Sequence, residues 1–379
     1  MGEGAMGLKC YCHSFHLVAS HACNVLSKTA EQLIHDINNY FKNSPNRQKS
    51  YEEFQHFVEY QPHKSLKQCQ TRWLSVSQCI HRILKQWPAL QLCFVSEGSE
   101  MKSPQALRIV NSLETTYIKA TLEFIDFVLG DLTGLKAMFK SETFKLHRLL
   151  PQVERVVNMF CNNFLTTVNN DLNVIDVDDE RKWVALDSVY AGIYADETMK
   201  GMRPHKKESF LKRCQDWYRV LVRQILKRID VSDPVLLALK DIESSTILKG
   251  KDKLSSAGIL AINLPVLRAG SSLQVIHRQL RSLIHDDVVK NGGWEKHGIV
   301  GFWKAMLLLP EYQELAQFML EVTALPQSTA AVERTFSKIN NNKTKLRNGL
   351  AITTMEAIVK VNERFKKNFE IDERLASLD

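Results

Sequence analysis

Apolar residues recur along the chain mostly at three- and four-residue intervals, with few glycines or prolines between them (16 and 10), a spacing that predicts helix as the dominant element. The clearest run extends from about Glu208 to Ile229. On it Phe210, Cys214, Trp217, Leu221, Ile225 and Ile229 form a stripe to be buried, with lysines and arginines opposite. A second helix is expected to be capped by Ser103, to begin at Pro104, to align Leu113, Tyr117, Ala120, Phe124 and Phe127 on one face, and to end at Gly130. Met6–Tyr11 reads as one short strand followed by a helix from His13 to Leu26. A lone strand leaves its backbone donors and acceptors without a sheet to pair with. Ser96–Ser103, where Gly98 and Pro104 bracket small and charged residues, the acidic Asn169–Glu180 and the charged Lys249–Ser256 read as connections. There is no internal repeat and no low-complexity tract.

Composition narrows the class without naming a function. The 379 residues are 44% apolar and 24% charged, an ordinary globular balance. Lysine and arginine outnumber aspartate and glutamate by 50 to 42, an excess that favours polyanions without identifying one. No stretch approaches the roughly 20 apolar residues of a membrane span, and the first residues lack a signal-peptide pattern, so an intracellular location without a membrane partner is expected. The eight cysteines are scattered over a long chain, which reads as free thiols in a reducing compartment rather than a disulfide framework.

Three segments carry candidate chemistry. Cys10, Cys12 and His13, with His16, His21 and Cys23 close behind, are zinc-type ligands. No second pair stands at finger spacing, so a strand-to-helix junction is the preferred reading, Cys10 and His13 remain marginal metal candidates, and no cofactor is expected. Arg72–Trp73, followed by Arg82 and Trp87, sets a cation beside an aromatic ring that could stack on a base; the plainer reading is a tryptophan anchored in the core. In Leu325–Lys338, Ser328 or Thr329 can cap a helix after Pro326. Val332, Phe336 and Ile339 then share one face, while Arg334, Lys338 and Lys345 project a basic one. Glu333 alone is more often an ion-pair partner than a catalyst, because two-metal chemistry needs several converging carboxylates.

Taken in order, these segments resemble the hAT transposase superfamily. Cys10 and His13 correspond to its CxxH motif and Arg72–Trp73 to its RW motif. Phe302–Trp303, Leu315–Ala316, Leu325–Pro326, the run Ser328–Ser337 with Glu333–Arg334 and Phe336–Ser337, and Leu346–Arg347 through Val361–Asn362 look like its C-terminal dimerisation region. The middle, from about Gln91 to Lys290, is similar in helical character and length only. The resemblance implies an RNase H-like sheet interrupted by a large helical insertion, with three acidic residues holding divalent metal for DNA strand transfer. Glu333 falls where the third acid belongs. Only nine residues precede Cys10, with Glu3 as their sole acid, so no intact catalytic triad and no enzymatic activity are expected.

The expected architecture is therefore mainly α, a large helical insertion domain plus the C-terminal remnant of an RNase H-like fold with little or no sheet. Residues 1–27 would form a remnant strand and helix, 28–290 the insertion, 291–370 the dimerisation region and 371–379 a tail. The expected function is that of a nuclear, transposase-derived protein that pairs with itself and associates weakly and non-specifically with DNA, without catalysis. A helical adaptor without DNA contact and a fragment of an active transposase are the alternatives. DNA contacts are expected from Arg72, Trp73, Arg334, Lys343, Lys345 and Arg347. Self-association is expected from Phe302, Trp303, Leu315, Phe318, Phe336, Leu346 and Ile358, together with Val332, as apolar faces that have lost the cover of a sheet.

Overall fold

The computed structural model describes residues 9–42, 44–59, 73–100, 103–141, 143–248, 254–268 and 270–342, with short stretches at 353–354, 356–357 and 360–361. Among the described residues the structure is mainly helical, and the β-type pairing is a single antiparallel bridge between Leu165 and Trp183. The mainly α expectation holds, and no strand or sheet stands among the described residues.

The first helices are α1 (Tyr11–Cys23), α2 (Lys28–Phe41), α3 (Pro45–Phe57), α4 (Trp73–Lys85), α5 (Trp87–Glu100), α6 (Pro104–Leu113) and α7 (Thr116–Lys140). After them come α8 (Leu149–Cys161), α9 (Ile193–Met199), α10 (Pro204–Arg228), α11 (Pro234–Leu239) and α12 (Ser244–Ile247). The last group is α13 (Leu254–Asn263), α14 (Leu273–Leu283), α15 (Asp287–Lys290), α16 (Gly298–Met306), α17 (Gln313–Thr323) and α18 (Ala330–Asn342). Their buried side chains form one continuous cluster from Tyr11 to Leu325.

The centre of that cluster is α7 and α10, each 25 residues long, with α1 packed on both. The stripe expected on α10 is the buried one: Phe210, Cys214, Trp217, Leu221, Ile225 and Ile229 are all in the core. Around it Phe124 meets Trp217 and Tyr218 edge-on at 5.5 Å, and Phe164 stacks on Tyr218 at 5.9 Å. Such pairs add roughly 0.5–1.5 kcal/mol each beyond the burial of their area.

Four local expectations are corrected. The helix capped by Ser103, whose hydroxyl accepts from Ala106 N–H, stops at Leu113, and a new helix starts at Thr116. That second helix passes through Gly130 to Lys140. Both Gly130 and Gly134 face open space, and the roughly 1 kcal/mol each costs relative to alanine is outweighed by burying Leu132, Leu135 and Phe139 beyond them. Ser96–Glu100 is helix rather than linker, since Gly98 lets Leu107 close on α5 and buried Glu97 accepts the Tyr40 hydroxyl at 2.7 Å. At the start, Cys10 is extended but α1 already begins at Tyr11, whose buried ring joins the core, so the expected strand cannot reach that residue; Met6–Leu8 lie outside the described residues.

Asn169–Glu180 is a turn-rich loop as expected, held by Asx-type hydrogen bonds from Asn173 N–H to Asp171 and from Arg181 N–H to Asp179. The Lys249–Ser256 connection lies largely outside the described residues, with Leu254–Ser256 already in α13.

Candidate self-association region

The C-terminal helices are built on aromatic and polar anchors. Phe302 and Trp303 are fully buried on α16, their rings 4.8 Å apart, and Trp294 meets Phe302 at 5.8 Å. α17 lies against α16 and α14 with Leu315, Phe318 and Met319 inward. Its first turn is fixed from α14, where Gln279 Oε1 accepts Leu315 N–H at 2.7 Å and so satisfies one of the free donors of a helix start. Asp286 accepts from the backbone of Val288 and Val289 and from the Tyr312 hydroxyl at 2.7 Å. That hydroxyl, followed by the two amides, holds the Asp286 carboxyl below its usual range.

The link from α17 to α18 is anchored by Gln327, a buried side chain that touches the end of α7. Its carbonyl oxygen accepts Lys145 N–H at 2.7 Å, and its amide donates to the carbonyls of Ser141 and Thr143, each at 2.9 Å. Directly after it, Thr329 N–H donates to Cys10 Sγ at 3.3 Å, and the Thr329 hydroxyl lies 3.3 Å from that sulfur and 2.9 Å from Glu333 Oε1. The two outermost sequence motifs are thereby brought together. Cys12 beside them donates to the Lys136 carbonyl at 3.6 Å, and burial, then the neighbouring Cys10, raises its pKa. Nothing in the spacing of residues 319 positions apart announces this contact.

The expected sites separate in space. Phe302, Trp303, Leu315 and Phe318 do not form an uncovered face: α14 and α17 with the turns around them supply the cover that was assigned to a sheet. Phe336 does face out, 59% exposed. Further apolar side chains that sequence patterning missed are also exposed here, above all Val288 at 83% and Leu308 at 82%, with Val300 and Val361. They belong to no apolar stripe legible in the sequence, so no periodic signal marks them.

Trp73 opens α4 half-buried and packed against the core, the plainer of its two readings. Arg334 is half-buried on α18, and Glu333 is exposed. Arg72, Lys343, Lys345, Leu346, Arg347 and Ile358 lie outside the described residues, and of Val332 only its place in α18 is described. His13 is exposed on α1, and among the described residues no group of three or more His, Cys, Asp or Glu is arranged to hold a metal ion.

Residues 279–365, from within α14 through α18 and beyond, match the model of the hAT family C-terminal dimerisation region. Over that segment the chain is similar to the hAT family. No curated protein matches the chain. The hAT segment holds the exposed Val288, Val300, Leu308, Phe336 and Val361, and the Thr329–Glu333 pair that meets Cys10. No helix among the described residues is long and apolar enough to cross a membrane.

Proposed function

We propose that this is a nuclear, transposase-derived protein that works as a self-associating unit, contacts DNA weakly and without sequence preference, and performs no strand transfer. The observation that carries the reading is the hAT dimerisation region at residues 279–365 with large apolar side chains left outward on it. Solvated apolar surface rimmed by charge gains free energy when a matching surface covers it. The core residues Phe302, Trp303, Leu315 and Phe318 act from beneath, holding α16 and α17 in the shape the second copy meets.

The absence of catalysis is supported by the surroundings of Glu333. Its carboxylate is engaged by the Thr329 hydroxyl one helical turn earlier and lies next to a thiol, whereas divalent-metal strand transfer needs several carboxylates converging on the same ions. The DNA reading is supported by the chain's basic excess.

Sedimentation velocity over a concentration series tests the central claim. The wild-type protein should sediment as a dimer or larger at micromolar concentration. Leu308→Glu and Phe336→Glu, both at exposed positions, should shift it toward monomer with unchanged helix content. A wild type that stays monomeric throughout the series would overturn the proposal.

A further inference from the structure

One long helix is strongly basic. α10 carries eight lysines and arginines against two acids. Its inward face is the aromatic core described above, and Lys212, Arg219, Arg223 and Lys227 follow one another at helical spacing on the opposite face. From the first to the last of these the helix rises about 22 Å, a row of cations on a rigid support, interrupted by Asp216, which pairs with Arg219 at 3.2 Å.

The row is partly covered by the chain itself. The Leu165–Trp183 bridge, with Thr166 N–H donating to the Lys182 carbonyl and Val184 N–H to the Phe164 carbonyl, closes the acidic loop into an excursion with fixed ends. The excursion lies along α10. Trp183 presents its ring to Lys212 Nζ at 4.6 Å and to the Arg219 guanidinium at 5.3 Å, and Asp178 pairs with Arg223. Asp171, Asp176, Asp179 and Glu180 belong to the same loop, while Lys227 lies exposed further along the row.

We propose that this face of α10 docks the phosphate backbone of nucleic acid, and that the acidic loop is an intramolecular competitor for it, with Asp178 occupying the place of a phosphate on Arg223. The assignment rests on the reading that the chain contacts DNA, and it adds where. A linear polyanion matches a linear row of cations, and each neutralised phosphate releases counterions. A membrane surface fits less well. An interfacial helix inserts large apolar side chains beside its cations, and α10 exposes none.

The test uses the full chain and a short fluorescent duplex of random sequence, read by anisotropy across a salt series. Wild-type protein should bind at low salt with a log–log slope near −0.9 per phosphate contacted. The combined variant Lys212→Gln, Arg223→Gln, Lys227→Gln should lose on the order of tenfold or more in affinity, with a slope shallower by about 2 to 3. Asp178→Asn should bind several-fold more tightly. Circular dichroism and sedimentation matching wild type would confirm that both variants keep the fold and the oligomer.

Binding by wild type that the triple variant leaves unchanged would overturn the α10 assignment while sparing the DNA reading. No binding by wild type at low salt would overturn both. An unaltered affinity in Asp178→Asn would remove the competitor role, and displacement by polyglutamate as effectively as by unlabelled duplex would show that α10 serves an acidic protein instead.

Discussion

Replacing Gln327 with alanine removes three hydrogen bonds at once from a buried junction, and its cost can be worked from the partners. The side chain is 6% exposed and bonds only to backbone: Lys145 N–H on one side, the Ser141 and Thr143 carbonyls on the other. A net contribution near 1 kcal/mol per bond gives about 3 kcal/mol, and water reaching the part-buried carbonyls reduces this to about 2–3 kcal/mol. Gln327→Glu sharpens the test, because its carboxylate keeps the acceptor for Lys145 but sets negative charge against two carbonyl oxygens, so at neutral pH it should cost more than alanine. The assay is urea unfolding followed by far-ultraviolet circular dichroism at one fixed protein concentration, since self-association adds to apparent stability. An alanine variant within about 0.5 kcal/mol of wild type would refute the role given to this residue.

Gly192 adopts a φ of +96°, and a β-carbon there would lie 2.9 Å from the Phe127 ring; Gly192→Ala should cost about 1–3 kcal/mol in the same unfolding assay. His147 is buried 3.0 Å from Glu243, and burial lowers its pKa from the usual 6.5 against the opposing pull of that carboxylate. Between the lowered and the ordinary value the unfolded chain binds more protons, so stability should fall as pH drops below about 6.5. His147→Gln should flatten that decline, and an identical pH profile in the variant would contradict it. Burial pushes the Cys23, Cys93 and Cys161 thiols up to about 12 and Cys214 well above its usual value. Alkylation of the native protein at neutral pH should therefore reach the half-buried Cys10 and Cys12 before those four, and equal rates in peptide mapping would show the core to be open.

Where a single periodic pattern dictates structure, the sequence was readable. The α10 stripe and the Ser103 cap needed only helical spacing and one side-chain oxygen, and the structure contains both. Glycines misled at Gly98 and Gly130, because a residue-by-residue propensity of about 1 kcal/mol is small beside the packing of whole side chains around it. The burial of Phe302, Trp303, Leu315 and Phe318 was hidden for another reason. Their apolar character was plain, but which surface covers them depends on how α14, α16 and α17 fold on one another, a long-range outcome that no local pattern encodes. The hAT segment itself was legible from its motif order, whereas the exposed Val288 and Leu308 within it required coordinates.

The meeting of Cys10 with Thr329, together with the Gln327 junction, ties the opening of the chain to its hAT segment. Cutting out residues 279–365 for separate study would therefore free α18 from two of its moorings and strip α14, and with it α17, of the neighbouring α13. The excised piece would display hydrophobic surface that the intact molecule hides. Stickiness measured on it would report the wound left by the cut, and the pairing partner of this protein is best sought with the chain whole.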